Sequence, residues 1–545
     1  MAGCPEHGKI GMNDFDAIII GGGHNGLVCG AYLARRGAKV CVLERKAQVG
    51  GAVVTEELWP GYRVSPASYL MALLQPKVML DLDLKRHGLE VIAQTPTFQP
   101  LEGDASFTFW HDPERLKSEF AKFSRKDADA YAGYVEFMKT AGEKVRALLF
   151  QAPINPTSAS LPKLLELARF GWRNRAVLDQ LYDIYDLLTL SAYDFLGRWF
   201  ESDEVKSVLG FYASAAGGTM SMKTPGSAYI LLRGFLRDNT TAAGGPGIIR
   251  GGMGSISQAI LRAGSEYGMQ ARCNAQVEEI LVENNRAVGV RLAGGETLRA
   301  RAIISNAPAK LTFQQLLRDT PLPEAFRQEV ARIRDRSTSY KVHLALNGLP
   351  RFRLFDPERM GYDYPTLVKI GPSIDYIERA FDCSKYGEFA RNPCLAVLTP
   401  SALDDTLAPA GHHVMSIFGS HAPYRLKTGD WTDADRQALY ECTIATLETH
   451  APGIRAQILH GQIKVAPDFE REFFLPGGHV HHGELSADQI FFKRPAKGFA
   501  DYRTPVNALF MCGASTHPGG GVTGVPGHNA AAVVAKFLGN SNSKG

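Results

Sequence analysis

Three glycines spaced Gly21-x-Gly23-x-x-Gly26, with an acid further on at Glu44, are the residues whose types and spacing speak most directly of chemistry. The pattern serves binding, not bond cleavage. A glycine at the first position permits a tight turn, the second lets backbone approach a diphosphate, and the third lets a helix lie close on a strand. The diphosphate would sit at the start of that helix, where unpaired N–H groups and the helix dipole favour anions. Glu44, 18 residues after Gly26, would accept hydrogen bonds from a ribose diol. His24 and Asn25 fall inside the same turn.

For the motif to work, a strand must end at Gly21 and a helix must follow. Residues 17–20 are a short continuous apolar run, as a buried parallel strand is. Residues 27–36 predict a helix, Gly37 its end, and residues 39–43 a second strand that delivers Glu44. The βαβ unit is therefore intact. A second pair, Gly50-Gly51, follows, and the chain then turns irregular and aromatic over 60–76 instead of continuing in βα units.

Six more glycines fall between Gly513 and Gly527. Residues 519–524 repeat the GxGxxG pattern, but His517 and Pro518 stand where an apolar strand should end, and no acid follows. That is not a second nucleotide site. The cluster instead joins a predicted strand, 508–512, to a predicted helix, 530–538, so backbone must pass close to something bulky there.

Composition bounds the rest. The 545 residues are 45% hydrophobic and 10% aromatic, enough to bury a large core. A net charge of +4 gives no reason to expect a nucleic-acid partner. Eight scattered cysteines with no CxxC pair imply reduced thiols, with neither a disulfide framework nor a redox motif. The first dozen residues lack a secretory or transit pattern, Met12 is an alternative start, and the expectation is a protein that is not secreted.

The N-terminal unit, the Gly50-Gly51 pair, the segment 244–308 ending in "SNAP", and "CGASTHPGGGVTGVPGHNAA" together resemble the FAD-dependent phytoene desaturases, carotenoid and retinoid oxidoreductases and their amine-oxidase relatives. Within these, "GGHVHHGELSADQIFFKRP" and "TMSMKTPGSAYILL" resemble the pyridine nucleotide-disulphide oxidoreductase domain-containing protein 2 group. The resemblance implies an α/β fold: a discontinuous Rossmann-like FAD-binding domain assembled from 1–80, 240–310 and 495–545. Residues 81–239 would form a helical cap, and 311–494 an inserted mixed α/β substrate domain. It also implies which residues hold FAD: Gly21, Gly23, His24, Asn25, Gly26, Glu44, Arg45, Gly50, Gly51, Ala52, Val277, Asn306, Gly513, Gly524 and Val525. Ala52 stands where the family often has arginine. Glycines 519–521 would pass the isoalloxazine, and a final helix starting at Pro526 and Gly527 would point its positive end at the ring.

For the reaction, His517 is the candidate general acid or base, set against a purely structural role for the same ring. His479, His481 and His482 read as a polar strand end, with no ligand spacing that calls for a metal. Phe211 and Tyr229 read as pocket lining, and Cys512 as a small buried residue. The implied function is dehydrogenation of a hydrophobic isoprenoid-like or long-chain substrate, with a quinone or dioxygen as electron acceptor. The alternatives are a flavin amine or small-molecule oxidase, and a non-catalytic FAD-bearing scaffold. The basic, aromatic stretch 160–188 reads as a cover over a substrate cavity or as a membrane-facing surface. Peripheral membrane contact and homo-oligomers stay open, as does location: cytoplasmic or membrane-peripheral if bacterial, or mitochondrial by the resemblance.

Overall fold

In the computed structural model, which describes residues 15–155, 161–215, 220–237 and 247–542, two seven-stranded sheets organise the chain. Met12 and the last three residues lie outside the described part.

The first sheet runs Val277–Glu283, Arg286–Leu292, Thr297–Ser305, Phe15–Ile20, Val40–Leu43, Gln270–Arg272, and Leu509–Met511 also pairs with Thr297–Ser305. Thr297–Ser305 is its axis. Ile304 stands opposite both Ile19 and Phe510, so strands from the two ends of the chain flank one central strand, each parallel to it. These three strands are largely apolar over their paired length because both faces are buried, one under the helices that flank the sheet and the other in a core shared with Ile280, Val290, Leu298 and Phe313. The helix His24–Ala34 packs against both Gly254–Glu266 and the last helix, Val525–Asn542. At that last contact a Cβ on Gly527 would stand 2.2 Å from the carbonyl oxygen of Asn25.

The second sheet runs Ile458–Lys464, Tyr340–Leu346, His413–Gly419, Leu395–Leu398, Leu367–Ile370, Thr97–Pro100, Ser106–Phe109. Its two faces differ by the two-residue period of a strand. Tyr340, Val342 and Leu344 share one apolar core with Leu439, Ile444 and Leu447 of the helix Asp433–His450. Lys341 and His343 face the other way. Thr432 and Asp435 form a reciprocal capping box that starts this helix.

Two details depart from the sequence reading. The segment 81–239 is largely helical, with Arg125–Leu149 its longest element, yet Thr97–Pro100 and Ser106–Phe109 form a hairpin that completes the second sheet. Its strands are short and locally unremarkable, and only the parallel partner at Val368 reveals them. The segment around His479–His482 contains no strand. Gly477, Gly478, His482 and Gly483 all have positive φ, which bends the backbone into consecutive turns.

Candidate functional site

Between the two sheets lies a cavity of about 880 Å³, within the range of about 300–1,000 Å³ usual for ligand sites. One end is the glycine turn. Gly21 has φ +94°, a conformation that the turn between strand and helix requires. A Cβ on Gly26 would meet the Gly21 carbonyl oxygen at 2.3 Å, so helix and strand touch only because that position is glycine. No side chain caps the helix His24–Ala34, so its first N–H groups are open to the cavity. Beside them His24 Nε2 and Asn25 Oδ1 are buried without a hydrogen-bond partner. Burial holds the His24 ring neutral, its pKa pushed down to about 4. A buried turn of open amides next to two unused polar atoms is a site made for a ligand rich in polar oxygens.

Glu44 anchors the turn as well as facing the ligand. Its carboxylate accepts from the Gly22 N–H at 2.9 Å and from the Lys46 N–H at 2.9 Å. The pair Gly50-Gly51 crosses beneath, with Gly50 N–H donating to the Gly22 carbonyl at 2.8 Å. Arg45 lies over the Phe474 ring, and Asn306 Nδ2 donates to the Gly21 carbonyl at 3.1 Å.

Of the residues predicted from sequence, Gly21, Gly23, His24, Asn25, Glu44, Arg45, Gly51, Ala52, Val277 and Asn306 all line this cavity. Gly26 and Gly50 stand directly behind the wall. Gly513, Gly524 and Val525 are buried but lie off the lining. A Cβ on Gly513 would meet the Asn306 carbonyl oxygen at 2.4 Å, and Gly524 packs on Val78. In the 519–521 run, a Cβ on Gly520 would stand against His481, and one on Gly521 against Arg233 and Leu73. Gly521, Val522 and Ala514 do reach the cavity.

His517 does not reach it. Its Nε2 sits 3.1 Å from the Leu148 carbonyl and its ring packs against Phe491. Burial pushes its pKa down to about 4, and its own carbonyl accepts from Tyr502 Oη at 2.7 Å. The geometry assigns it to packing the loop rather than to the reacting atoms. Phe211 and Tyr229 are likewise core residues, while their neighbours Tyr212 and Ile230 line the cavity. Burial, with Cys29 alongside, holds the Cys512 thiol well above its ordinary value.

His481 and His482, read from the sequence only as a polar strand end, line the cavity on the glycine-bent turns, with His482 near His24. Arg494 binds the carbonyls of Ala514, His481 and Glu484 and so fixes the loops beneath. Tyr69 stacks on Phe418, and Lys341 lies against the Tyr69 ring. Lys341 carried a visible signal: it is a lysine inside the otherwise largely apolar strand Tyr340–Leu346. Glu44 and Glu278 are the only acids among the described lining residues, and both belong to the nucleotide end.

This architecture, a parallel sheet with a glycine turn, an acid-ended second strand and a second sheet roofing the cavity, defines an FAD-binding oxidoreductase. The chain belongs to the flavin-containing amine oxidoreductase family, whose model matches residues 26–410. It is 36% identical to mouse pyridine nucleotide-disulfide oxidoreductase domain-containing protein 2, across 98% of this chain and 97% of that one. It is 27% identical to a neurosporene-forming phytoene desaturase of Cereibacter sphaeroides (96% and 94% covered). A solved oxidoreductase from Methanosarcina mazei shares the fold with a TM-score of 0.60 at 17% identity, covering 95% of this chain and 99% of that one. The cofactor is FAD, and the open amides, Glu44 and the unused atoms of His24 and Asn25 fit it.

Proposed function

We propose that this protein is an FAD-dependent dehydrogenase acting on an apolar, isoprenoid-like or long-chain substrate, with a quinone or dioxygen taking the electrons afterwards. The observation that carries the reading is a continuous cavity that begins at the dinucleotide turn and extends into an aromatic and aliphatic chamber without any carboxylate. Bound FAD supplies a two-electron acceptor at its N5 atom. The chain does the rest by placement. The open end of His24–Ala34 receives the diphosphate, Glu44 receives the ribose, and Tyr69, Leu73, Phe109, Tyr134 and Tyr212 exclude water from the chamber where the substrate lies. An amine substrate is the weaker reading for a specific reason. Its ammonium would enter a chamber bordered by Lys341 and Arg233 with no acid to pair it.

We also propose that the protein works at an anionic membrane surface. Leu161, Leu164, Leu165 and Trp172 of the helix Leu161–Arg173 are exposed, Trp172 by 72%. Residues 161–175 carry four basic residues against one acidic. An apolar face bordered by arginines suits anionic lipid, and such a contact would deliver an apolar substrate.

The decisive experiment is anaerobic reduction of the purified yellow protein. An isoprenoid hydrocarbon such as squalene or phytoene should bleach the flavin absorbance, and a soluble quinone should restore it. Bleaching by putrescine or benzylamine in place of the hydrocarbons would overturn the reading.

A further inference from the structure

The helix Ala466–Phe473 ends in a way that its sequence does not call for. Phe474 caps it in the left-handed conformation, φ +53° and ψ +43°. Glycine or asparagine usually fills that place, because a larger side chain crowds its own backbone there. A bulky residue so placed is an outlier, kept only where its surroundings fix it, and ligand clamps are among such places. The ring does not offset the strain by joining a core. Phe474 is 38% exposed and lines the cavity.

What fixes it comes from the first sheet. The Arg45 guanidinium lies 3.7 Å from the centre of the Phe474 ring, and its Nη2 donates to the Glu472 carbonyl. Next to it, Lys46 Nζ stands 4.3 Å from the centre of the Phe473 ring and 3.7 Å from the Glu472 carboxylate. That carboxylate also pairs with Lys464 Nζ at 2.6 Å, at the end of the edge strand Ile458–Lys464. Two cations that follow the strand Val40–Leu43 thus stack on two phenylalanines that follow an edge strand of the second sheet. All four side chains line the cavity. Each cation–ring contact is weak when partly exposed, so the closure can part locally while both sheets stay folded.

Glu44 fixes which part of the cofactor lies there. The Glu44 and Lys46 carbonyls accept from the N–H groups of Ala275 and Asn274 at 2.8 and 2.9 Å, which holds Arg45 beside the acid. The acid at this place in a dinucleotide fold receives a ribose. FAD has one ribose, in its adenosine half; its flavin half carries an open ribityl chain. Arg45 and Phe474 therefore border the adenosine.

We propose that Arg45 and Phe474 form an adenosine clasp, a flat cation-on-ring pair that packs against the base end of FAD and parts to let the cofactor in or out. Its contribution goes to holding adenosine and slowing cofactor loss. The flavin half is held by other residues.

The test titrates apoprotein with FAD, with FMN, which has the flavin but no adenosine, and with ADP, which has the adenosine but no flavin. Phe474→Asn is the main variant, because asparagine suits the left-handed backbone, so the helix end survives and only the ring is lost. In it FAD and ADP should both bind about five- to a hundredfold more weakly, as the loss of one base-stacking ring allows. FAD should leave the holoprotein correspondingly faster, and FMN affinity should stay within about threefold. Arg45→Met should show the same pattern. Where FMN binds too weakly to titrate, the ADP arm decides. FMN weakened as much as FAD, or FAD and ADP affinities unchanged in Phe474→Asn, would overturn the proposal. Neither result bears on which substrate the chamber takes, since no substrate enters the measurement.

Discussion

Adding one methyl group at Gly26 should cost the protein most of its FAD. The Cβ of alanine would stand 2.3 Å from the Gly21 carbonyl oxygen and 3.2 Å from Asn306 Cβ and Cγ. Ordinary van der Waals contact starts at 3.4 Å, so helix and strand must part by 3.4 − 2.3, roughly 1 Å. An N–H···O contact of about 2.9 Å lengthened by that much passes out of hydrogen-bonding range. Each such bond to a charged phosphate contributes about 1.5–3 kcal/mol. Losing one weakens FAD binding by about ten- to about two-hundredfold, while overpacking itself costs about 1–3 kcal/mol of stability. FAD per chain after purification, the dissociation constant on reconstituting apoprotein, and the thermal midpoint measure both effects. Gly171→Ala is the matched control. It lies in the helix Leu161–Arg173 with nothing within 4 Å of its added Cβ, and should leave FAD binding unchanged while gaining up to about 1 kcal/mol. If Gly26→Ala kept full FAD and its wild-type midpoint, close approach of helix to strand would not be what forms the site.

Tyr502→Phe removes a hydroxyl that donates to the His517 carbonyl and accepts from Asn529 Nδ2 in a fully buried network. Chemical denaturation should show a loss of about 1–3 kcal/mol with FAD affinity nearly unchanged; a matching loss of FAD affinity would show that this loop touches the cofactor after all. His517 takes up its proton at lower pH than an unfolded histidine, about 4 against 6.5. The unfolded state therefore holds more protons in that window, and stability falls as pH drops from 6.5 toward 4, by up to about 3 kcal/mol from this residue. Urea midpoints across that range should flatten in His517→Gln, and an unchanged slope would refute the assignment. Co-sedimentation with phosphatidylglycerol vesicles should fall several-fold in Trp172→Ser/Leu165→Ser, whereas a loss of dimer with unchanged vesicle binding would make that face a contact between copies of the chain.

Much of the nucleotide end was legible in the chain because its information is local. Strand, turn, helix and acid follow one another within residues 15–44, each set by its own periodicity or glycine, so Gly21, Gly23 and Glu44 could be placed without knowing what packs on them. The last strand and helix were legible for the same reason, though their glycines turn out to meet His481, Arg233 and Asn25. The rest of the cavity wall was not legible. Lys341, Tyr69, Tyr212 and His482 come from four separated segments, and what makes them a wall is cross-strand register and long-range closure. A lysine in an apolar strand is one symbol in the sequence. Only the sheet decides that it faces a cavity and shares a row with Lys369 and Lys464. Conversely, His517 sits in the expected loop, but the tertiary fold turns its ring to the Leu148 carbonyl. Sequence determined that a dinucleotide is held and which turn holds it, because backbone conformation there depends on neighbours a few residues away. The packing of two sheets decided what the cavity can accept, because the direction and ionisation of a side chain depend on atoms hundreds of residues distant.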